Sequence, residues 1–318
     1  MTEISVIIPL LNKGPYIKRA IESILTQEYQ NFEIIVVDGH SIDQGPDIVR
    51  SIQDSRLILI TQPTKGVSEA RNYGVERSQG SLIAFLDADD EWLPNHLKTI
   101  IKLVQKFPQA GAYTTAYKIC IENGKLRWPK YRAIPPSPWE GLIPNYFSSA
   151  VSGEYPVWTS AVCIPKKIFT EIGGFPEGAW WGEDADLWGK IALIYPIAFS
   201  WELGAIYHWD SEDRACCKLS LEQEPFVITG KLAVAEKRIP KDILPDFIEY
   251  VNKKEIYRAA CSIIEGKPEL SRQILAGTDT HRFYPQKILL KLFSYLPQKI
   301  AGPLVGFVAP KRAFVVPI

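Results

Sequence analysis

The chain has few cysteines and spaces none of them as metal ligands. Cys120, Cys163, Cys216, Cys217 and Cys261 are an odd set at low density, which fits a reducing compartment. The adjacent Cys216 and Cys217 read as packing residues. Net charge is also absent: 36 Lys and Arg balance 36 Asp and Glu, so nothing marks a nucleic-acid partner. No apolar run reaches the ~20 residues that a membrane span needs. The start, Met1-Thr2-Glu3, leads directly into a strand, so the expectation is a cytoplasmic chain without a secretory signal. Internal repeats and low-complexity segments are missing. Glycine is scarce where two nucleotide-handling classes require it. The loop after the first strand, Pro9 to Pro15, lacks the G-x-G-x-x-G of a dinucleotide dehydrogenase. It also lacks the glycine-rich triphosphate cradle of a sugar-nucleotidyl transferase, which remains the alternative enzyme reading. A non-catalytic nucleotide-sugar binding protein is the alternative outside enzymes.

What is present is a βαβαβαβ pattern through about residue 110. Ile4 to Ile8, Phe32 to Val37 and Leu82 to Leu86 read as strands buried on both faces, and Leu57 to Ile60 reads as a further strand. Ile17, Ala20, Ile21, Ile24 and Leu25 recur at helical spacing after Pro15. Helices are also expected near residues 48–52, over 67–77 and after Pro94. The pattern predicts an α/β fold, a mostly parallel sheet flanked by helices. Beyond Ala112 the texture changes. Tyr113 to Ile121 predicts a strand with one wet face. Prolines and bulky aromatics crowd residues 124–157, a long irregular segment of the kind that forms lids or binding loops. A strand over 157–164, a helix over 166–172 stopped by Gly173-Gly174, and a helix over 183–194 follow. After Trp209 the chain turns helical, with 219–237 and 242–264 as the longer candidates.

The fourth strand ends in Asp87-Ala88-Asp89-Asp90. In open α/β sheets ligands sit at the carboxyl ends of strands. Carboxylates this close repel unless a cation lies among them. An all-oxygen set suits Mg²⁺ or Mn²⁺, which keep positions open for substrate phosphates. The alternative is an acidic turn leading into the next helix. The second strand ends at Asp38, where a carboxylate followed by Gly39 can accept a hydrogen bond from a nucleobase imide or ribose hydroxyl; Asp43 suits the cap of the next helix. Arg71, in the helix that Gly66 opens, offers a planar fork, with a solvated helix face as its other reading.

Together these stretches resemble the inverting family 2 glycosyltransferases. The matching pieces are Val6 to Pro9 with Asn12, Val37-Asp38 to Asp43, Gly66 to Gly74 with Ala70-Arg71-Asn72, and Asp87 to Asp90. Gly173-Gly174-Phe175 and Trp181 to Leu187 follow in order. The resemblance covers about residues 3–210 and implies the Rossmann-like GT-A fold of nucleotide-diphospho-sugar transferases, with a helical C-terminal extension. Residues 1–211 would form the catalytic domain, with a nucleotide-sugar half to about 110 and an acceptor half from about 111. Residues 212–318 would be mainly helical. Pro9, Asn12, Asp38, Arg71, Asp87, Ala88 and Asp89 are then nucleotide-sugar-binding residues, with Asp87 and Asp89 the D-x-D metal motif for Mn²⁺ or Mg²⁺. Relatives place a His or Arg near His208 that reaches the metal or diphosphate, so His208 joins the metal set. Leu11 and Asp38-Gly39-His40-Ser41 depart from the usual pattern, and both touch the base pocket.

Inverting transfer needs a base on the face opposite the leaving diphosphate. Asp184 shares a helix side with Leu187, Trp188 and Ile191, which places it at a cleft's edge, and the resemblance assigns the base there. Glu183 completes the catalytic pair, although acidic residues at a helix N-terminus also suit the macrodipole. Asp186, four before Lys190, reads as an exposed ion pair. Trp180 and Trp181 are candidate acceptor-binding residues that stack on a sugar face, or else buried packing. The donor is expected to be a nucleotide-sugar, UDP first among them, and the acceptor a glycan or lipid-linked glycan. In the tail, Ile288, Leu289, Leu292, Leu296 and Ile300 form an apolar stripe flanked by Lys287, Lys291 and Lys299. It either packs on protein or makes a peripheral contact at the inner face of the cell membrane.

Overall fold

The computed structural model describes residues 2–121, 124–211 and 219–308, so the expectations for Cys216, Cys217 and the last ten residues fall outside it. The chain divides into two compact units. The first comprises Met1–Pro129, Ile134–Pro144 and Tyr155–Glu212; the second comprises Lys130–Ala133, Asn145–Glu154 and Asp213–Ile318.

The first unit starts with the expected parallel block. β1 (Ile4–Leu10), β2 (Phe32–Asp38), β3 (Leu57–Thr61) and β4 (Leu82–Phe85) lie in the order β3-β2-β1-β4. α1 (Gly14–Leu25), α2 (Gly45–Ser51) and α3 (Val67–Arg77) connect them. Val6, Ile7, Ile8, Ile34 and Val36 are fully buried, which explains why β1 and β2 read as apolar runs; β3, at the sheet's edge, is partly exposed. α1 turns Ile17, Ala20, Ile21 and Ile24 inward. α3 has no strong apolar stripe and approaches through small residues instead. A Cβ built on Gly74 would lie 2.5 Å from Ile7 Cγ2, so only glycine allows this contact. Its N-terminal Gly66 has φ 131°, a conformation that costs glycine little.

The remainder of the sheet is mixed. β9 (Val162–Pro165) lies antiparallel between β4 and β6 (Ala112–Ile121), and β6 runs parallel to β10 (Ile197–His208). β5 (Glu91–Trp92) and β8 (Glu140–Leu142) pair with β10, and β7 (Lys125–Arg127) pairs with β6. α4 (His96–Lys106), α6 (Lys166–Ile172) and α7 (Glu183–Ile194) complete the unit. Gly173 stops α6 at φ 93°, as the sequence predicts.

Four expectations change. β6 has no wet face: eight of its ten residues, alternating between the two sides of the sheet, are buried. The segment 124–157 is not wholly irregular, since it supplies β7, β8 and the helix α5 (Tyr146–Ser152). The strand expected over 157–164 begins only at Val162, after a 3₁₀ turn over Thr159–Ala161. β10 escaped the sequence reading altogether. Its pairing slips between Ser200 and Leu203 and again between Leu203 and Ala205, and such bulges erase the two-residue period.

The second unit is helical among its described residues: α5, α8 (Pro225–Ala235), α9 (Leu244–Ile264), α10 (Pro268–Ala276), α11 (Tyr284–Phe293) and α12 (Gln298–Val308). Rings of Phe147, Phe226, Phe247 and Tyr250 pack with centroids 4.9 to 6.2 Å apart. A second core joins Ile256, Ala260 and Ile263 of α9 to Leu275, Leu290 and Val305.

Candidate active site

The acids after β4 have three different environments. Asp87 accepts from Arg71 Nη2 at 2.8 Å, and its backbone N–H donates to Ser160 Oγ at 3.1 Å. Asp89 pairs with Lys13 Nζ at 2.9 Å and accepts from Ser211 Oγ at 2.7 Å. Asp90 is fully buried. It accepts from Ser160 Oγ at 2.5 Å and from the His208 backbone N–H at 2.9 Å. Burial first, then repulsion from Asp89 and Asp87, pushes Asp90 well above the ordinary carboxylate range. Asp90 therefore ties the acidic loop to β10 and to the turn before β9. Ala88 between the first two acids is buried.

Arg71 is not on a solvated helix face. Gly74, one turn further along α3, draws that face onto the sheet, and the guanidinium is buried over the Phe175 ring. One fork nitrogen holds Asp87; the other holds Glu183 Oε1 at 2.9 Å. The acidic loop and the N-terminus of α7 are thereby joined through one cation. Burial, and next the neighbouring Asp184, raise Glu183 to about 7 against the opposing pull of Arg71. Asp184 follows at the start of α7, half-buried, while Leu187, Trp188 and Ile191 on the same side are buried. Asp186 corrects an expectation: it does pair with Lys190, at 2.6 Å, but its carboxylate has no exposed surface.

The glycine turns that the sequence singled out hold this end together. Asn72 Nδ2 donates to the Phe175 carbonyl at 2.9 Å, and the Phe175 N–H donates to Asn72 Oδ1 at 3.0 Å. Ser68 and Glu69 bond the backbone at Ala179 and Gly178. α3 thus fixes the segment carrying Trp180 and Trp181, whose half-buried rings lie 6.1 Å apart.

At the other loops, Asp38 is buried and accepts from the Ser41 N–H at 3.0 Å. Asn12 Oδ1 accepts from the Ile42 N–H at 2.9 Å, and the Asn12 N–H donates to Ser41 Oγ at 3.0 Å, so the loop after Pro9 is clasped to the loop after Asp38. Asp43 does more than cap α2. Its two oxygens accept from Gly45 N–H at 3.0 Å and Gly14 N–H at 2.7 Å, the first residues of α2 and α1.

His208 ends β10 and engages both ring nitrogens, Nε2 with Glu91 at 3.0 Å and Nδ1 with Asp210 at 3.1 Å. That bond holds Glu91 below the usual carboxylate range. Among the described residues, the three-membered group with ligand atoms within 4.8 Å of one another is Cys120, His208 and Asp210. Asp87, Asp89 and His208 do not close into such a cage. The donor set nevertheless fits a hard cation: Asp89 already faces a positive charge, that of Lys13, and carboxylates at a strand end complement Mn²⁺ or Mg²⁺ that shares its shell with phosphates. Ser160 and Ser211 carry no mark of a site residue in the sequence. Lys13 alone carries a signal, as a cation in the loop after the first strand.

Residues 5–155 match the family described as Glycosyl transferase family 2. Glycosyltransferase GlyG of Streptococcus pneumoniae is 38% identical over 205 residues, which cover 62% of this chain and 67% of GlyG. Rickettsial glycosyltransferases match at 31% identity over only 32% of their own length. Among solved structures, S. aureus TarS 1-349 in complex with UDP-GlcNAc superposes with a TM-score of 0.62 at 16% identity, covering 91% of this chain and 90% of that one. The mannosyltransferase PcManGT from Pyrobaculum calidifontis, in complex with GDP-Man and Mn²⁺, superposes at 0.57 and 19% identity, covering 98% and 86%. The GT-A-type sheet, the order of the motifs along it and the GlyG relationship place the chain in glycosyl transferase family 2.

Proposed function

We propose that the chain is an inverting glycosyltransferase that moves a sugar from a nucleotide-diphospho-sugar, UDP-linked first among candidates, to a hydroxyl of a glycan or lipid-linked glycan. The observation that carries this reading is the Arg71 bridge, which couples the D-x-D acid Asp87 to Glu183 beside the candidate base. Asp38, Asn12 and Pro9 supply the nucleotide end. Asp89, with Asp87 near it, would hold Mn²⁺ or Mg²⁺, and such an ion would offset charge developing on the leaving diphosphate. The Mn²⁺ and GDP-Man bound by PcManGT and the UDP-GlcNAc bound by TarS support this donor class.

In the transfer the acceptor oxygen bonds to the anomeric carbon as the bond to the diphosphate breaks. Asp184 takes the hydroxyl proton. Glu183, held by Arg71, keeps the start of α7 in register and stays off the reacting atoms. Trp180 and Trp181 offer ring faces to the acceptor, and His208 orients the loop after β10 through Glu91 and Asp210. The expected place of action is the cytoplasmic side of a membrane that presents the acceptor.

The test is nucleotide release from UDP-sugars with Mn²⁺, followed by NMR of the product's anomeric configuration. Asp89→Asn should abolish release and the metal-dependent part of donor binding. Asp184→Asn should lower turnover about 10²- to 10⁴-fold with donor affinity unchanged. Full activity in excess EDTA overturns the metal assignment, and a product of retained configuration overturns inversion. Donor binding without any release under all acceptors returns the chain to a binding protein.

A further inference from the structure

The five apolar residues at helical spacing near the C-terminus do not pack inward. Ile288, Leu289, Leu292, Leu296 and Ile300 are between 37% and 59% exposed. The inward work is done by different residues of the same helices: Leu290 of α11 and Ala301 and Val305 of α12 are buried in the α9 core. Five exposed large apolar side chains within residues 288–300, on α11, in the turn after it and on α12, are denser than the singly scattered apolar residues that soluble surfaces normally carry.

Its charge is as uneven as its polarity. From Thr280 to Ile318 the chain carries six basic residues, Arg282, Lys287, Lys291, Lys299, Lys311 and Arg312, and no Asp or Glu. The chain as a whole has no net charge, so the preceding 279 residues hold the other 30 cations against all 36 acids. Lys291 and Lys299 are exposed beside the apolar stripe. Long lysine side chains can lay their methylenes along an apolar surface and keep the ammonium in the headgroup layer.

We propose that the exposed face of α11 and α12 docks on an anionic lipid surface, lying in the interface plane. A second copy of the chain fits less well, because an isologous contact would set this all-cationic patch against itself. A bilayer span is not what this face forms: no helix among the described residues is long and apolar enough to cross a membrane. The proposal deepens the lipid-linked acceptor of the preceding reading and rests on that reading only for its purpose.

The experiment is co-sedimentation of the 318-residue chain with vesicles of phosphatidylcholine alone or with added phosphatidylglycerol, without any sugar donor. The chain should pellet with the anionic vesicles and be released by salt. A surface cation of this kind is worth about fivefold in partitioning, so Lys291→Glu with Lys299→Glu should weaken anionic binding by about 25-fold or more. Leu289→Asn with Leu292→Asn and Leu296→Asn should abolish it while the thermal unfolding midpoint is retained. Wild-type chain that stays in the supernatant, or variants that pellet like wild type, overturn the proposal. A concentration-dependent dimer by sedimentation equilibrium, lost in the triple leucine variant, would give the face to a second copy instead. Nucleotide release assayed without vesicles is expected to be equal in all three chains. Failure of transfer and failure of docking are thereby read separately.

Discussion

Replacing Arg71 by methionine removes a buried cation that serves two acids while keeping an apolar stem over Phe175. The guanidinium is 4% exposed and its partners Asp87 and Glu183 are 27% and 12% exposed. Breaking a buried pair by deleting one partner costs about 3–5 kcal/mol. Because Asp87 keeps some solvent, the lower end applies, about 3 kcal/mol. In a unit of this size that corresponds to a midpoint lower by about 6–12 °C. The loss should depend on pH. Glu183 is raised above its unfolded value, so its favourable contribution is present below the unfolded pKa, near 4.5, and is lost as pH rises through about 7. Arg71 opposes that rise; without it the ionised Glu183 is costlier still. The midpoint deficit of Arg71→Met should therefore be largest at about pH 8 and shrink at about pH 5, where Glu183 is protonated in both chains. Arg71→Lys, which keeps charge but cannot fork to both acids, should fall between. Adding Glu183→Gln to Arg71→Met should restore part of the loss at the higher pH. Thermal unfolding by circular dichroism reads all four chains. A deficit under about 2 °C at the higher pH, or one that is the same at both, would refute the bridge as an energetic unit.

Asp186→Asn, which an exposed pair would tolerate, should instead cost about 1–3 kcal/mol in urea unfolding, since the carboxylate is buried against Lys190. Asp43→Ala should cost about 1–3 kcal/mol, because two helix N-termini lose an acceptor at once, whereas Asp43→Asn should recover about half; equal losses would refute the double cap.

Much of the first unit follows from local pattern. The Val- and Ile-rich runs of β1 and β2 read as buried strands and are buried, and Pro15, Gly66 and Gly173 mark helix ends through their own backbone preferences. The order of motifs, from Pro9 through Asp38, Arg71 and Asp87 to Glu183, was likewise readable, because each sits at a strand end or helix start that the pattern locates. What the pattern lacks is the partner of each side chain. Arg71 has the same residue type on a wet face as in a buried bridge; only α3 lying on the sheet through Gly74 decides which. Asp87, Asp89 and Asp90 look alike in sequence, yet Ser160, from 70 residues away, makes Asp90 structural and leaves the other two to Arg71 and Lys13. β10 hid because its bulges break the alternation that betrays a strand. The spacing of Ile288, Leu289, Leu292 and Leu296 was fixed by the sequence, but which side of α11 meets the α9 core was not. That choice depends on how Leu290 and Phe293 fit their neighbours, and packing of that kind exists only in the folded chain.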